Sequence, residues 1–295
     1  MKIKLLLIAL FAMCADLLAQ KPDFNRLSSS NPNVKMLTSG NITVHSYVNP
    51  QLIQVTSYVL ELKDSLVLID AQLTYTFTKE VVAYAQSLKK PIARVILTHA
   101  HPDHFLGAYA FRDYKVYALK ETIETIAKIG DGARTVFVKN FGDKDAAPEV
   151  LIPTHTLSEG YMKIDGVTFS VTKIKDSEAD VIAFIKIPKA NLVIVGDFVY
   201  NKVHLFPGNN HLQNWKEELQ KAASTLKGKI ILPGHGYPAT SSIVDSNIAY
   251  LTKTIEVASK PSMDAATYKA ELVKAYPDYA AAILIDFGAN ALFTK

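Results

Sequence analysis

The chain has 295 residues, of which 49% are hydrophobic and 20% charged, and a formal net charge of +4 at pH 7. This is the composition of a folded globular protein, long enough for one large core or two small ones, and it excludes a disordered or collagen-like chain. Lysines and arginines are scattered, with no basic block interleaved with aromatics, so nucleic acid is not an expected partner.

At the N-terminus, Lys2 and Lys4 precede the apolar run "LLLIALFAMCA" (5–15), followed by "DLLAQ". A basic start and an apolar stretch too short to span a bilayer predict a secretory signal over 1–19, cleaved after Ala19, and an exported protein, periplasmic or secreted. A short membrane anchor or a buried first helix is the other reading of this segment. Cys14 is the only cysteine and would leave with the leader, so the mature chain would hold no disulfide and no thiolate ligand. No later stretch is apolar enough to cross a membrane, so no stable insertion is expected after cleavage. Residues 20–40, with "SSSNPN", read as a polar lead-in to a single domain over 41–295.

Strands are predicted over 42–48 and 52–62, around the turn dipeptide Asn49-Pro50, and over 65–70. "TKEVVAYAQSLKK" (78–90) has the apolar spacing of a helix and a basic end. A buried strand over 93–99 runs into "THAHPDH"; a helix (105–111), a strand (115–118) and a helix (121–129) follow. "GDGARTVFVKNF" (130–141) reads as a lid or an ordinary surface connection, and "HSYVNPQ" (45–51) as a possible flap. In the second half, 161–164 and 167–174 form a hairpin across Asp165-Gly166, followed by strands at 181–187 and 191–197. A helix (215–224), a strand (229–235) and helical patterns near 240–259, 264–275 and 278–286 complete the chain. Two halves of this kind predict an α/β protein in which two facing sheets carry helices outside, a four-layer α/β/β/α sandwich.

His99, His101, Asp103 and His104 crowd into six positions at the end of a predicted buried strand. Ligands at strand ends of α/β proteins face a shared crevice. Backbone alternation lets His99 and His101 point one way and Asp103 and His104 another, which allows two adjacent metals. Imidazole with carboxylate suits zinc first, with iron or manganese as alternatives, and one or two ions. Two other strands end in Asp197 and His235, and a carboxylate such as Asp197 has two oxygens with which to bridge two ions.

"THAHPDH", "GDFVY" and "PGHG", in this order, resemble the metallo-β-lactamase superfamily over nearly all of residues 42–260. The resemblance implies that His99 and His101 bind a first metal, that Asp103, His104 and His235 bind a second, and that Asp197 bridges them. It also implies that Asp70 buttresses the metal loop, and that the activity is hydrolysis by a metal-bound hydroxide. The third histidine that the family carries for the first metal is absent from "TKIKDSEADVIAFIKI"; Asp176 falls at its place, with Glu178 and Asp180 close by. His204 is a substitute for that ligand or a substrate-binding residue. Tyr200 matches a tyrosine that aids the substrate carbonyl in the lactonase branch, and is otherwise a packing aromatic. His204 and His211 can equally be loop histidines in water. Retention of Asp197 looks more like the glyoxalase, lactonase and phosphodiesterase branches than the true β-lactamases.

The expected function is hydrolysis of a small-molecule ester, lactone or thioester, with Asp103 and Tyr200 catalytic and Asp103 also orienting the nucleophilic water. The alternatives are a β-lactam hydrolase and a non-catalytic binding protein with an incomplete dinuclear site.

Overall fold

The computed structural model describes residues 27–28, 31–49 and 53–293. The predicted leader (1–19) and the tip of the predicted flap at Pro50 lie outside the described residues.

The first sheet holds eight strands in chain order: β1 (Leu27–Ser28), β2 (Val34–Ser39), β3 (Ile42–Val48), β4 (Thr56–Glu61), β5 (Leu66–Ile69), β6 (Ile92–Ile96), β7 (Val116–Ala118) and β8 (His155–Thr156). The second holds six, also side by side in chain order: β9 (Gly160–Ile164), β10 (Val167–Lys175), β11 (Val181–Ile187), β12 (Leu192–Tyr200), β13 (Ile230–His235) and β14 (Ala239–Thr240). The antiparallel neighbours β9 and β10 need only Asp165-Gly166 between them. Both turn residues have positive φ, +50° and +74°, as a two-residue hairpin turn that follows the strand twist requires. Parallel neighbours need longer crossovers. Helix α1 (Tyr75–Ser87) joins β5 to β6. The short α2 (Pro102–Phe105) and a 3₁₀ turn (Ala108–Phe111) lie between β6 and β7. Helix α3 (Lys120–Phe141) precedes β8, and α4 (Leu212–Leu226) joins β12 to β13. The chain ends with α5 (Ser242–Ala258), α6 (Ala265–Ala275) and α7 (Ile283–Phe293).

Strand β12 shows how the layers arise. Leu192 and Ile194 face the first sheet, packing in one core with Val44, Leu60 and Ile69. Val193 and Val195, one residue out of phase, pack outward with Trp215 and Leu219 of α4 and Leu251 of α5. This two-residue alternation, apolar on both sides, is the signature of a strand buried on both faces. On the far side, Leu66, Leu68 and Val95 meet Val81 and Ala85 of α1 and Ile126 and Phe137 of α3. The result is the expected four-layer α/β/β/α sandwich.

Three local readings change. The lead-in contains β2, held by burial of Val34 and Leu37 and by full pairing with β3; its polar neighbours mask it in the sequence. "FLGAYAF" is not one helix: α2 stops after Phe105 and the chain re-forms as a 3₁₀ turn. The stretch 130–141 is not a loop but the C-terminal half of α3, anchored by buried Phe137 although Gly130 and Gly132 lower its helical propensity, and it borders the cavity over the centre. Among the described residues, no helix is long and apolar enough to cross a membrane.

Candidate metal centre

The apolar run of β6 delivers His99 and His101 to the edge of the first sheet, and α2 then turns Asp103 and His104 back towards the same point. From the second sheet come Asp197, within β12, and His235, the last residue of β13. Among the described residues the potential donor atoms fall into three groups, of which Asp70, His99 and His104 form the smallest; the other two include Asp197. His99, His101, Glu178 and Asp197 form one; Asp103, His104, Asp197 and His235 form the other. Within each group these atoms lie within 4.8 Å of one another. Asp197 belongs to both.

The histidines are fixed from behind. Asp70, in the left-handed region at φ +58°, accepts hydrogen bonds from the Thr98 N–H (2.6 Å), the Thr98 hydroxyl (2.7 Å) and His104 Nδ1 (3.1 Å). The Thr98 hydroxyl, its own proton given to Asp70, accepts from His99 Nδ1 at 2.9 Å. His235 Nδ1 donates to the Ile53 carbonyl at 2.7 Å. Each of these bonds sets a tautomer and leaves Nε2 facing the cluster, the arrangement by which outer partners orient metal ligands. Asp70 therefore holds the loop, as the resemblance implied, and Thr98 is a positioning residue that the motif alone does not announce.

Asp176 does not join the cluster. It is exposed, its backbone carbonyl accepts from Asn214, and its positive φ of +47° starts a tight turn closed by Asp176 N–H to Asp180 O. That turn carries Glu178, two residues on, into the centre: its side chain is fully buried, with Oε1 3.0 Å from His101 Nδ1 and Oε2 3.8 Å from His99 Nε2. Spacing from Asp197 pointed to the start of the turn, whereas the turn's own geometry selects its inner residue.

His204 is also elsewhere. It is buried against Tyr250, its Nδ1 2.8 Å from the Tyr250 hydroxyl, and burial pulls its pKa down to about 4. It belongs to an aromatic cluster with Tyr279 and lines neither group. His211 precedes α4 and pairs with Asp180 at 3.2 Å. Tyr200 is both a packing aromatic and a site residue. Its ring stacks on His235 at 4.6 Å, and its hydroxyl donates to Asp197 Oδ2 (2.7 Å), with Glu178 Oε1 at 3.2 Å.

Four buried atoms in this cluster make no well-formed hydrogen bond: Nε2 of His99, Nε2 of His104, Oε2 of Glu178 and Oδ1 of Asp197, although His104 Nε2 and Asp197 Oδ1 face each other as an ion pair at 3.1 Å. Such orphaned groups are costly in a protein interior unless something satisfies them. Converging imidazole nitrogens and carboxylate oxygens fit a divalent cation in each group.

Protons play that electrostatic part when cations are absent. Burial pulls His101 down, but the Glu178 carboxylate outweighs it and lifts the imidazole to about 9; at His235 burial is likewise overcome, by Asp197 and Asp103, giving about 10. Burial, helped by the carboxylates of Asp197 and Asp103, pushes Glu178 up to about 7 against the opposing pull of His101. His99, buried and beside His104, is held well below the usual imidazole range. The raised histidines stabilise the metal-free fold fully below their ordinary value near 6.5, and lose that contribution as pH climbs through about 9 to 10. Ionisation of Glu178, pushed from pH 4.5 up to about 7, acts in the same direction. The unfolding midpoint of chelator-treated protein should therefore fall as pH rises from 6.5 to 10, while the metal-loaded protein escapes this fall because its ligands are already deprotonated. Thermal unfolding across that range, with and without chelator, checks it; parallel curves would contradict it.

A four-layer α/β/β/α sandwich with paired histidine–carboxylate groups at its strand ends is a metallohydrolase fold. The sequence pattern of the metallo-beta-lactamase superfamily matches residues 51–235, more than half of the chain, and the chain belongs to that superfamily. A metallo-beta-lactamase from Pontibacter korlensis superposes with a TM-score of 0.57 at 19% identity, covering 79% of this chain and 99% of that one. A metallo beta lactamase from Hirschia baltica does so with a TM-score of 0.56 at 21% identity, covering 74% and 97%. At these identities the likeness is one of fold. No curated protein matches the sequence at a significant level.

Proposed function

We propose that this chain is an exported, metal-dependent hydrolase of a small acyl substrate, an ester, lactone or thioester, with zinc as the favoured ion and iron or manganese as competitors. The observation that carries the reading is the convergence of buried imidazole and carboxylate ligand atoms beneath a cavity of about 400 Å³ that His101, Asp103, Glu178, Asp197, Tyr200 and His235 line, with His99 and His104 behind them. That is the form of a small-molecule site: a concave, largely apolar pocket with a few converging polar groups.

His99, His101, Glu178 and Asp197 would hold one ion, and Asp103, His104, Asp197 and His235 the other. When bound, such ions supply a nucleophilic water at neutral pH and polarise the scissile carbonyl. The chain's own residues do the rest. In the metal-free chain His104 and His235 overcome the burial of Asp103 and hold its carboxyl near 2; with an ion bound, the cation would favour the carboxylate instead, so Asp103 stays ionised and can accept a hydrogen bond from the attacking water. Burial, Asp197 and Glu178 keep Tyr200 protonated well above the usual phenol range, so its hydroxyl remains a donor in the site. In the reaction, the water oxygen bonds to the acyl carbon, the bond to the leaving oxygen or sulfur breaks, and the proton released from water ends on the leaving group.

The test is a panel of esters, lactones, thioesters and β-lactams, assayed with metal-loaded and chelated protein. Turnover of an acyl substrate should vanish on chelation and return with zinc. Asp103→Asn keeps the shape of the side chain and removes its charge, and should lower kcat/KM by about a hundredfold or more with a small change in unfolding midpoint. Equal loss of activity and stability would make Asp103 a structural residue. Stoichiometric metal binding with no turnover of any panel member would favour a binding protein.

A further inference from the structure

The cavity above the candidate centre is walled by two helices distant in sequence, α3 near the middle of the chain and α7 near its C-terminal end. Helix α3 contributes Val136, Phe137 and Phe141; α7 contributes Leu284 and Phe287; Phe206 closes the side next to His101, ring centroids 5.3 Å apart. Val136, Phe141 and Phe287 are 58%, 55% and 50% exposed, so three of the large apolar side chains that this fold leaves in water rim a single opening. A concentration of exposed apolar groups around a concave site marks a surface that something apolar covers.

Charge narrows the choice of occupant. The floor presents three carboxylates, Asp103, Glu178 and Asp197, and among the described residues the lining holds no lysine or arginine. Along the wall of Val136, Phe137, Phe141, Leu284 and Phe287, away from the histidines and ligands of the floor, a tail bearing a carboxylate or phosphate would be desolvated without a partner, which is costly. A separate groove on the other side of His101 does carry charged groups, Glu121, Lys128 and Lys175 among them, and shares only His101 with the apolar cavity. The fold thus separates a charged wall from an apolar one at the histidine nearest the surface.

We infer that the α3–α7 cleft is an acyl-tail subsite, so that the substrate is a neutral carbonyl compound with an apolar chain lying along Phe137, Phe141 and Phe287 and its carbonyl at the centre. This rests on the hydrolase reading for the reaction, but the tail's binding does not, and the two can be separated.

Binding is measured first, by calorimetry of the metal-loaded full chain with N-methyl alkanamides from the acetamide to the decanamide, which are neutral and slow to hydrolyse. Affinity should rise about threefold to fourfold per methylene until the cleft is filled. The same amide with a terminal carboxylate should bind at least about tenfold more weakly. Phe287→Asp, and independently Val136→Asp on the opposite helix, should flatten the chain-length series. The kcat/KM of esters from acetate to decanoate should follow the same slope, and both variants should lose that slope. Affinity independent of chain length, or equal binding of the carboxylated amide, would overturn the inference. So would a dimer that forms with rising concentration and is dissolved by Phe287→Asp, because a second copy would then be what covers the rim. Chain-length-dependent amide binding without ester turnover would remove the hydrolase reading and leave the subsite standing; ester turnover with a flat series would do the reverse.

Discussion

Glu178→Ala should cost the protein about one bound metal ion per chain, whereas Asp176→Ala should cost none. The two acidic residues lie in one short loop, yet Asp176 is exposed and Glu178 is buried against His101 and His99. Removing Glu178 leaves the first group with two imidazoles and a share of Asp197. Changes to groups that merely support ligands weaken metal binding by about tenfold to a hundredfold, and loss of a ligand should exceed that. Glu178→Gln, which keeps the shape and loses the charge, should fall between. The carboxylate also bears on metal choice: an oxygen donor in place of a third imidazole makes manganese or iron more competitive with zinc at this position. Glu178→His should shift the balance back towards zinc, and competition titrations read by elemental analysis measure it. An unchanged ion count in Glu178→Ala would remove the first group as a metal site.

A second large effect is expected at Gly234. A Cβ at that position would lie 1.7 Å from Asp197 Oδ1 and 2.9 Å from the Gly196 carbonyl carbon, so strands β12 and β13 approach too closely for any side chain there. Gly234→Ala must displace the one carboxylate shared by both groups. Overpacking of this kind costs about 1–3 kcal/mol of stability, but the larger loss should be functional: both ions weaken together and kcat/KM falls by about a hundredfold or more. Gly132→Ala gives the contrast. That glycine lies inside α3, and its Cβ would meet nothing within 4 Å, so alanine should stabilise the helix by about 1 kcal/mol. Elemental analysis and thermal unfolding of the two variants side by side test both statements.

Much of this was legible in the sequence because the relevant signals are local. "RVILTH" and "NLVIVGD" are apolar runs that end on ligands, and strand ends in such folds converge, so His99, Asp197 and His235 could be placed near one another before any coordinates. The four layers followed from alternation and from the order of strands and helices. What resisted reading depended on turn geometry and on contacts distant in the chain. Glu178 enters the centre because Asp176 takes a left-handed conformation, and no spacing rule reports that. His204 lies near the site in sequence but is drawn into an aromatic cluster by Tyr250, 46 residues away. Residues 130–141 read as a lid or a surface connection, whereas Phe137 fixes them as helix through its packing on the first sheet.

The ligand set also divides between the two halves of the chain. His99, His101, Asp103 and His104 extend from the first sheet; Glu178, Asp197 and His235 extend from the second. An ion in either group is therefore a cross-link between residues far apart in sequence, and closing such long loops removes freedom chiefly from the unfolded chain. The two sheets cannot slide or part at this edge without surrendering the ion. Since the cavity mouth leaves the ion a way out of the folded chain, resistance to unfolding would follow metal occupancy, with the seam between the halves weakened each time an ion leaves.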